Sequence, residues 1–320
     1  MTTLVSQSPP TEYSVVEPAP HRLHECLTAE DFLPQFEAAT GRSLDSICSE
    51  VIDADEPRAV FLVGSLPLGM GSSTSDIDLI MLVNDRNVIR RIAGLTSNSA
   101  QRLEFASDND ALTAGMFVTL PQGILVDLQV SVTPAIRAVY QRLRRRGPEL
   151  NDNEIRTLGR LSSGWLLSQT PRYLEQHQLV LGDPALGVYC ATKHLVSAFI
   201  HHRKADKALS RGYLPLVLYL ARTGVEAAYL AYFASEGLNG LGSKWLAQLG
   251  FAREADTRVS RHPVLLEGIP LLFPPSSLSA ESTAQYLDGV RSFIQSIRAT
   301  IEKSLRYRIA FTACPQIDLA

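Results

Sequence analysis

The spacing of apolar residues changes near the middle of the chain. In the first half, short apolar runs bounded by Gly, Pro, Asn or Asp have the length of β-strands, and they cover residues 59–63, 78–83, 115–120 and 124–130. A turn sequence at 121–123 predicts that the last two runs are antiparallel neighbours. From Glu154 onward, apolar residues recur with helical period in long stretches, the first of them at 154–169. We therefore expect an α+β fold, in which a mixed-sheet domain precedes an all-α helical bundle domain.

This pattern divides the chain into three segments. Residues 1–27 are rich in Pro, Ser and Glu and are expected to form a flexible tail. The mixed-sheet domain is expected at 28–147 and the helical domain at 148–312. The polar stretch at 147–153 is the best boundary between them, because the character of the pattern changes there.

Composition narrows the class of protein. The 320 residues are 45% hydrophobic and 20% charged, as in soluble globular proteins, and the net charge of −3 argues against a dedicated nucleic-acid binder. The four cysteines have no metal-binding or redox spacing and are expected to be free thiols. The most apolar stretch, 214–234, contains Arg222 and Glu226, which favours a buried helix over a membrane span. We expect a cytoplasmic protein.

Residues 61–83, FLVGSLPLGMGSSTSDIDLIMLV, place a Gly-Ser step between two strand-like runs. Gly64 allows a tight turn and a close approach of a ligand to the backbone. Ser65 is a good helix N-cap and Pro67 suits a first helical turn, so we expect a helix to begin here. The free amides of a helix start, beside a serine hydroxyl, form a cradle for phosphate oxygens.

Two aspartates stand at the start of the second run. Residues two apart in a strand point to the same face, so Asp76 and Asp78 are expected side by side. Ile77 and Leu79 then face the core. Unpaired carboxylates at this distance repel each other. A divalent cation relieves that repulsion, and oxygen ligands suit Mg²⁺ in particular.

Asp127 interrupts the apolar run at 124–130. A lone charge in a strand is costly unless it has a partner. If this strand lies beside the strand of Asp78, Asp127 joins the other two carboxylates and completes a two-metal site, as used in nucleotidyl transfer. The alternative is a buried or edge aspartate that pairs with an arginine.

The residues from Gly64 to Leu79 follow the pattern Gly-Ser-x-x-x-Gly-x-x-x-x-x-Ser-Asp-Ile-Asp-Leu. With the later Asp127, this pattern resembles the nucleotidyltransferase superfamily typified by DNA polymerase beta. Its short form resembles the small bacterial branch that includes the minimal nucleotidyltransferases and the aminoglycoside enzymes. A helical domain after the catalytic one is more similar to the enzymes that modify small molecules. One departure is Pro67-Leu68, where the toxin-neutralising minimal enzymes usually carry Ala-Arg.

The resemblance implies roles at both ends of a bound nucleoside triphosphate. Gly64 and Ser65 would hold the β- and γ-phosphates, and Ser75 is a further nucleotide-binding candidate in the motif. In the helical half, Lys244 and Trp245 resemble a Lys-Trp pair of several such domains, which makes Lys244 a candidate for a phosphate contact. The alternative for Lys244 is an ordinary solvated helix face.

The resemblance also assigns the three carboxylates. Asp76 and Asp78 would bind two Mg²⁺ ions, and Asp127 would share a metal and help to deprotonate the acceptor. The implied function is Mg²⁺-dependent transfer of a nucleoside monophosphate, AMP from ATP first, to a hydroxyl of a small molecule. The expected partners are a nucleoside triphosphate and that acceptor, with no nucleic acid and no membrane. The alternatives are an enzyme that acts on protein or RNA ends, and an inactive nucleotide-binding module.

Overall fold

The computed structural model of the chain describes residues 22–50, 52–53, 55–89, 113–120, 123–145, 150–176, 184–239, 242, 246, 263–276 and 279–303. Five strands in these ranges form one sheet: β1 (Arg58–Val63), β2 (Ile77–Val83), β3 (Thr113–Thr119), β4 (Leu125–Val132) and β5 (Trp165–Gln169).

The order of the strands in the sheet is β3-β4-β2-β1-β5. β2 and β4 are parallel, and the other neighbours are antiparallel. The four strands expected from the sequence are thus confirmed with ends shifted by one or two residues, and so is the antiparallel pair β3 and β4. The mixed sheet followed by helices confirms the predicted α+β class.

The helices with both ends inside the described ranges are α1 (Ala29–Thr40), α2 (Leu44–Ser49), α3 (Thr133–Arg144), α4 (Asp152–Ser163), α5 (Pro171–Gln176), α6 (Pro184–Leu209), α7 (Leu214–Ser235), α8 (Pro263–Gly268) and α9 (Ala280–Lys303). Short 3-10 helices cover Leu23–Glu25 and Pro270–Leu272. The long helices α6, α7 and α9 pack on one another through small and aromatic buried residues, among them Ala198, Ala228 and Phe293. None of the helices described is both long and apolar enough to cross a membrane.

The helix expected over residues 154–169 is wrong in its second half. α4 ends at Ser163, Gly164 is extended, and Trp165–Gln169 form β5 along the edge of β1. A Cβ on Gly164 would lie 2.7 Å from the Leu62 carbonyl oxygen, so glycine permits the close approach of this junction to β1. The division at 147/148 remains a prediction, although the sheet takes its fifth strand from beyond it.

The two faces of the sheet carry separate apolar cores. One face packs under α1 and α2 and includes Val60, Leu62, Leu79, Val126 and Leu128. The opposite face of β1 and β2 contributes Ala59, Phe61, Val63, Ile80 and Leu82 to a cluster that continues into α4, α6, α7 and α9. The helical half therefore shares one core with the sheet. Three cysteines in the described residues, Cys26, Cys48 and Cys190, are buried free thiols, as expected.

Candidate active site

The ends of three strands meet at the edge where the motif lies. Val63, the last residue of β1, pairs with Asp78 of β2, and Asp78 pairs with Asp127 of β4. The prediction that the strand of Asp127 lies beside that of Asp78 is therefore confirmed. Neighbouring strands are about 4.8 Å apart, so the two aspartates start from adjacent backbone positions. Two carboxylates and the Gly64 turn thus share one end of the sheet.

The side chains of β2 alternate between the two faces. Ile77 and Leu79 are buried in the core under α1 and α2, as expected. Asp78 lies on the opposite face, toward α4, and is only 7% exposed. Asp76 stands one residue before β2 and is exposed. Asp78 therefore lies on the face of the sheet that packs against the helical half.

Gly64 lies against the carboxylate of Asp78. Its φ of +79° belongs to the left-handed region, and a Cβ there would stand 2.0 Å from Asp78 Oδ2. Any side chain at this position would displace the carboxylate. The glycine of the motif thus makes room for an aspartate of the same motif.

The helix expected at Ser65 is wrong. Residues 64–69 form turns instead. Two backbone hydrogen bonds hold these turns: the Met70 amide donates to the Ser65 carbonyl at 2.9 Å, and the Gly69 amide donates to the Leu66 carbonyl at 3.0 Å. Gly69 has φ +68°, so these bonds form a Schellman end after a single turn. Ser65 itself is 3% exposed. Its contact with phosphate, like that of Gly64, stays a prediction.

The loop before Asp76 is held by its own hydroxyl groups. Ser75 Oγ accepts a hydrogen bond from the Ser72 amide at 2.8 Å and lies 3.2 Å from Ser72 Oγ. The Ser75 amide donates to the Ser72 carbonyl at 3.1 Å. Ser75 therefore shapes the approach to β2, and its contact with a nucleotide stays a prediction. Lys244 lies outside the described residues.

Arg160 is a member of the site that the sequence did not single out. Its Nη2 donates to Asp78 Oδ1 at 2.8 Å, and the two side chains are 24% and 10% exposed. One turn earlier on α4, Thr157 Oγ1 accepts from Gln129 Nε2 at 3.2 Å. Residues three apart lie on one face of a helix, so α4 sets a polar face against β2 and β4. That spacing is the signal that could have pointed to Arg160.

The three aspartates supply the oxygen ligands that Mg²⁺ prefers, at one end of the sheet. Within the described residues, however, no group of three or more His, Cys, Asp or Glu side chains is arranged to hold a metal ion. The ion pair of Asp78 with Arg160 is one physical reason, since it directs Oδ1 toward α4. The carboxylates suit a divalent cation in chemical type, and Asp78 and Asp127 share one register position on neighbouring strands.

No protein-family model and no curated protein matches this sequence. One similar solved structure is a nucleotidyltransferase-like protein from Exiguobacterium sibiricum 255-15, with 13% identity, a TM-score of 0.41 and coverage of 84% of this chain and 77% of that one. Another is an aminoglycoside 6-adenyltransferase from Bacillus subtilis, with 10% identity, a TM-score of 0.31 and coverage of 85% and 96%.

Proposed function

We propose that this chain is a nucleotidyltransferase that uses Mg²⁺ to transfer a nucleoside monophosphate, AMP from ATP first, to a hydroxyl of a small molecule. The observation that carries the proposal is the direct pairing of Asp78 with Asp127 on parallel strands, beside the turn at Gly64. Aspartate is disfavoured in strands, so two of them in register support a role in binding cations.

Different residues of the chain bind the phosphates and accept the proton in the proposed reaction. The turn at Gly64 and Ser65 binds the terminal phosphates, and Ser75 holds the loop that leads to Asp76. Asp127 accepts the proton of the acceptor hydroxyl. The acceptor oxygen then bonds to the α-phosphorus, the bond from that phosphorus to the bridging oxygen breaks, and pyrophosphate leaves.

Asp76, Asp78 and Asp127 would hold the magnesium ions. When bound, these ions neutralise charge on the phosphates and on the attacking and leaving oxygens. The protein adds orientation, because the turn and the carboxylates belong to one rigid sheet. The helical half covers the same face and is the proposed location of the acceptor.

The test is to incubate the protein with Mg²⁺, each α-labelled triphosphate and separate pools of metabolites, RNA and protein. The sequence resemblance makes aminoglycosides the first pure acceptors to add. We expect label in a small-molecule fraction together with pyrophosphate release. Asp78→Asn and Asp127→Asn should strongly reduce both, whereas Asp55→Asn, at an exposed position, is the matched control that should not.

Label in RNA or protein would instead identify a macromolecular acceptor. Label in no fraction, with every triphosphate and with a correctly folded protein, would contradict the proposal. Undiminished transfer by the Asp78 and Asp127 variants would contradict the roles assigned to these carboxylates.

A further inference from the structure

The contact between Arg160 and Asp78 joins the helical half to the candidate metal site. Asp78 is nearly buried, and an unpaired carboxylate in such a place carries a high desolvation cost. The guanidinium at 2.8 Å removes much of that cost while no other cation is present. Because the Arg160 side chain is 24% exposed, it can leave the pair toward solvent.

Helix α4 is fixed against the sheet at several points, so Arg160 is held in place. Asn151 and Glu154 form a complete capping box at its start. Thr157 binds Gln129 of β4, and Gly164 seats the end of the helix on β1. The backbone of Arg160 is therefore fixed against the sheet, and its long, partly exposed side chain is the part that can leave the pair.

A guanidinium and a divalent cation compete at Asp78. Both are positive, and each is stabilised by the same carboxylate charge, so they repel each other when placed beside it together. A triphosphate changes this balance, because its oxygens offer the guanidinium another anionic partner of suitable geometry.

We propose that Arg160 is the internal counterion of Asp78 and couples metal binding to triphosphate binding. The inference rests on the proposed function, since it concerns how the same site is loaded. With Arg160 in place, a divalent cation alone binds weakly. Arrival of the triphosphate releases Asp78 for the metal, and by thermodynamic reciprocity the metal also favours the triphosphate. Arg160 acts through Asp78 and is a positioning residue.

The test measures binding of Mn²⁺ by electron paramagnetic resonance, with and without the α,β-methylene analogue of ATP. In Arg160→Gln we expect Mn²⁺ to bind about tenfold more tightly without nucleotide, the size expected for loss of a competing charged hydrogen bond. The enhancement of Mn²⁺ binding by the analogue should fall by a similar factor. An arginine with a purely structural role would leave affinity unchanged or weaken it.

Arg156→Gln is the matched control, because Arg156 lies one turn away on the same helix and is exposed. It removes the same charge from α4 and should leave both quantities as in the wild type. Arg160→Lys keeps a positive charge without the planar fork, and we expect a smaller gain in Mn²⁺ affinity. This variant keeps the test valid if Arg160→Gln does not fold.

Equal or weaker Mn²⁺ binding by the Arg160 variants, with clear Mn²⁺ binding by the wild type, would overturn this inference and leave the proposed function standing. The same gain in Arg156→Gln would also overturn it, since a general charge effect would then suffice. If neither wild type nor variant binds Mn²⁺, with or without the analogue, the proposed metal site fails, and the coupling fails with it.

Discussion

The two faces of strand β4 have opposite chemistry. On the face under α1 and α2, β4 contributes Val126, Leu128 and Val130 to a continuous apolar core. On the face toward α4, the alternate positions of β4 are Asp127, Gln129 and Ser131. A strand that could bury both faces instead keeps one face polar. This difference locates the site independently of any motif.

The sharpest test of the comparison uses neighbours on β4. Asp127→Asn should reduce nucleotidyl transfer about a thousandfold, the range for loss of a catalytic base, with little change in stability. Leu128→Ala should lower the free energy of unfolding by about 3 kcal/mol, because Leu128 is fully buried, and should spare the rate per folded molecule. Initial rates and denaturant titrations check both. A large stability loss in Asp127→Asn would contradict the assignment of a catalytic role to one face of β4 and a stabilising role to the other.

The next largest effect concerns Gly64. Gly64→Ala should destabilise the fold by about 3 kcal/mol, the sum of left-handed strain and overpacking against Asp78, and should weaken metal binding. Gly212→Ala is the control, because Gly212 has φ +74° and a Cβ added there would meet no atom within 4 Å. Its cost should be about 1 kcal/mol. Equal losses would mean that the contact with Asp78 is unimportant.

A smaller effect is expected where α4 meets β4. Thr157→Val keeps the shape of a nearly buried side chain and removes the acceptor of the Gln129 bond. The free energy of unfolding should fall by about 1 kcal/mol, as measured in urea. Thr223→Val is the control, since that half-buried hydroxyl donates only to the Tyr219 carbonyl of its own helix. A loss no greater than in the control would show that the polar face adds nothing to docking of α4.

A further effect is a pH dependence in the helical half. Burial of the imidazole, helped by Lys193 and opposed by Asp152, lowers the pKa of His194 to about 4 from an ordinary 6.5. Below pH 6.5 the imidazole therefore binds a proton in the unfolded chain but stays neutral in the folded chain, which favours unfolding. The stability present above pH 6.5 should be lost progressively toward pH 4.

Urea titrations between pH 7 and pH 4 measure this loss, and His194→Gln should show a shallower decline. Some decline should remain, because burial also lowers the pKa of His201 and His202. An identical pH profile in the variant would contradict the assignment to His194.

The part of the fold predicted from sequence is the part with strong local patterns. The pairing of Asp127 with Asp78 was expected because the lone charge of Asp127 in an apolar strand needs a partner, and Asp78 begins another apolar strand. β5 was missed because the short run at 165–169 fits either period, and the uncovered edge of β1 decides between them. Tertiary contact of this kind is not encoded within the segment.

Arg160 was missed for a related reason. A basic residue within a helical period resembles a solvated one, and its partner lies 82 positions away. Pairing with an arginine was the alternative considered for Asp127, and the described structure has such a pair at Asp78. The helix at Ser65 was wrong because capping residues favour a start, while Gly69 ends the turn before a second one forms.

The position of β5 has a consequence for how the chain can be divided. β5 occupies the outer edge of β1, and its residues follow α4. A fragment that ended at residue 147 would leave the amide and carbonyl groups of β1 unpaired along that edge. Exposed edges of this kind recruit strands from other molecules. We expect such a fragment to self-associate, whereas a fragment extended through Gln169 would include β5, which pairs with this edge of β1.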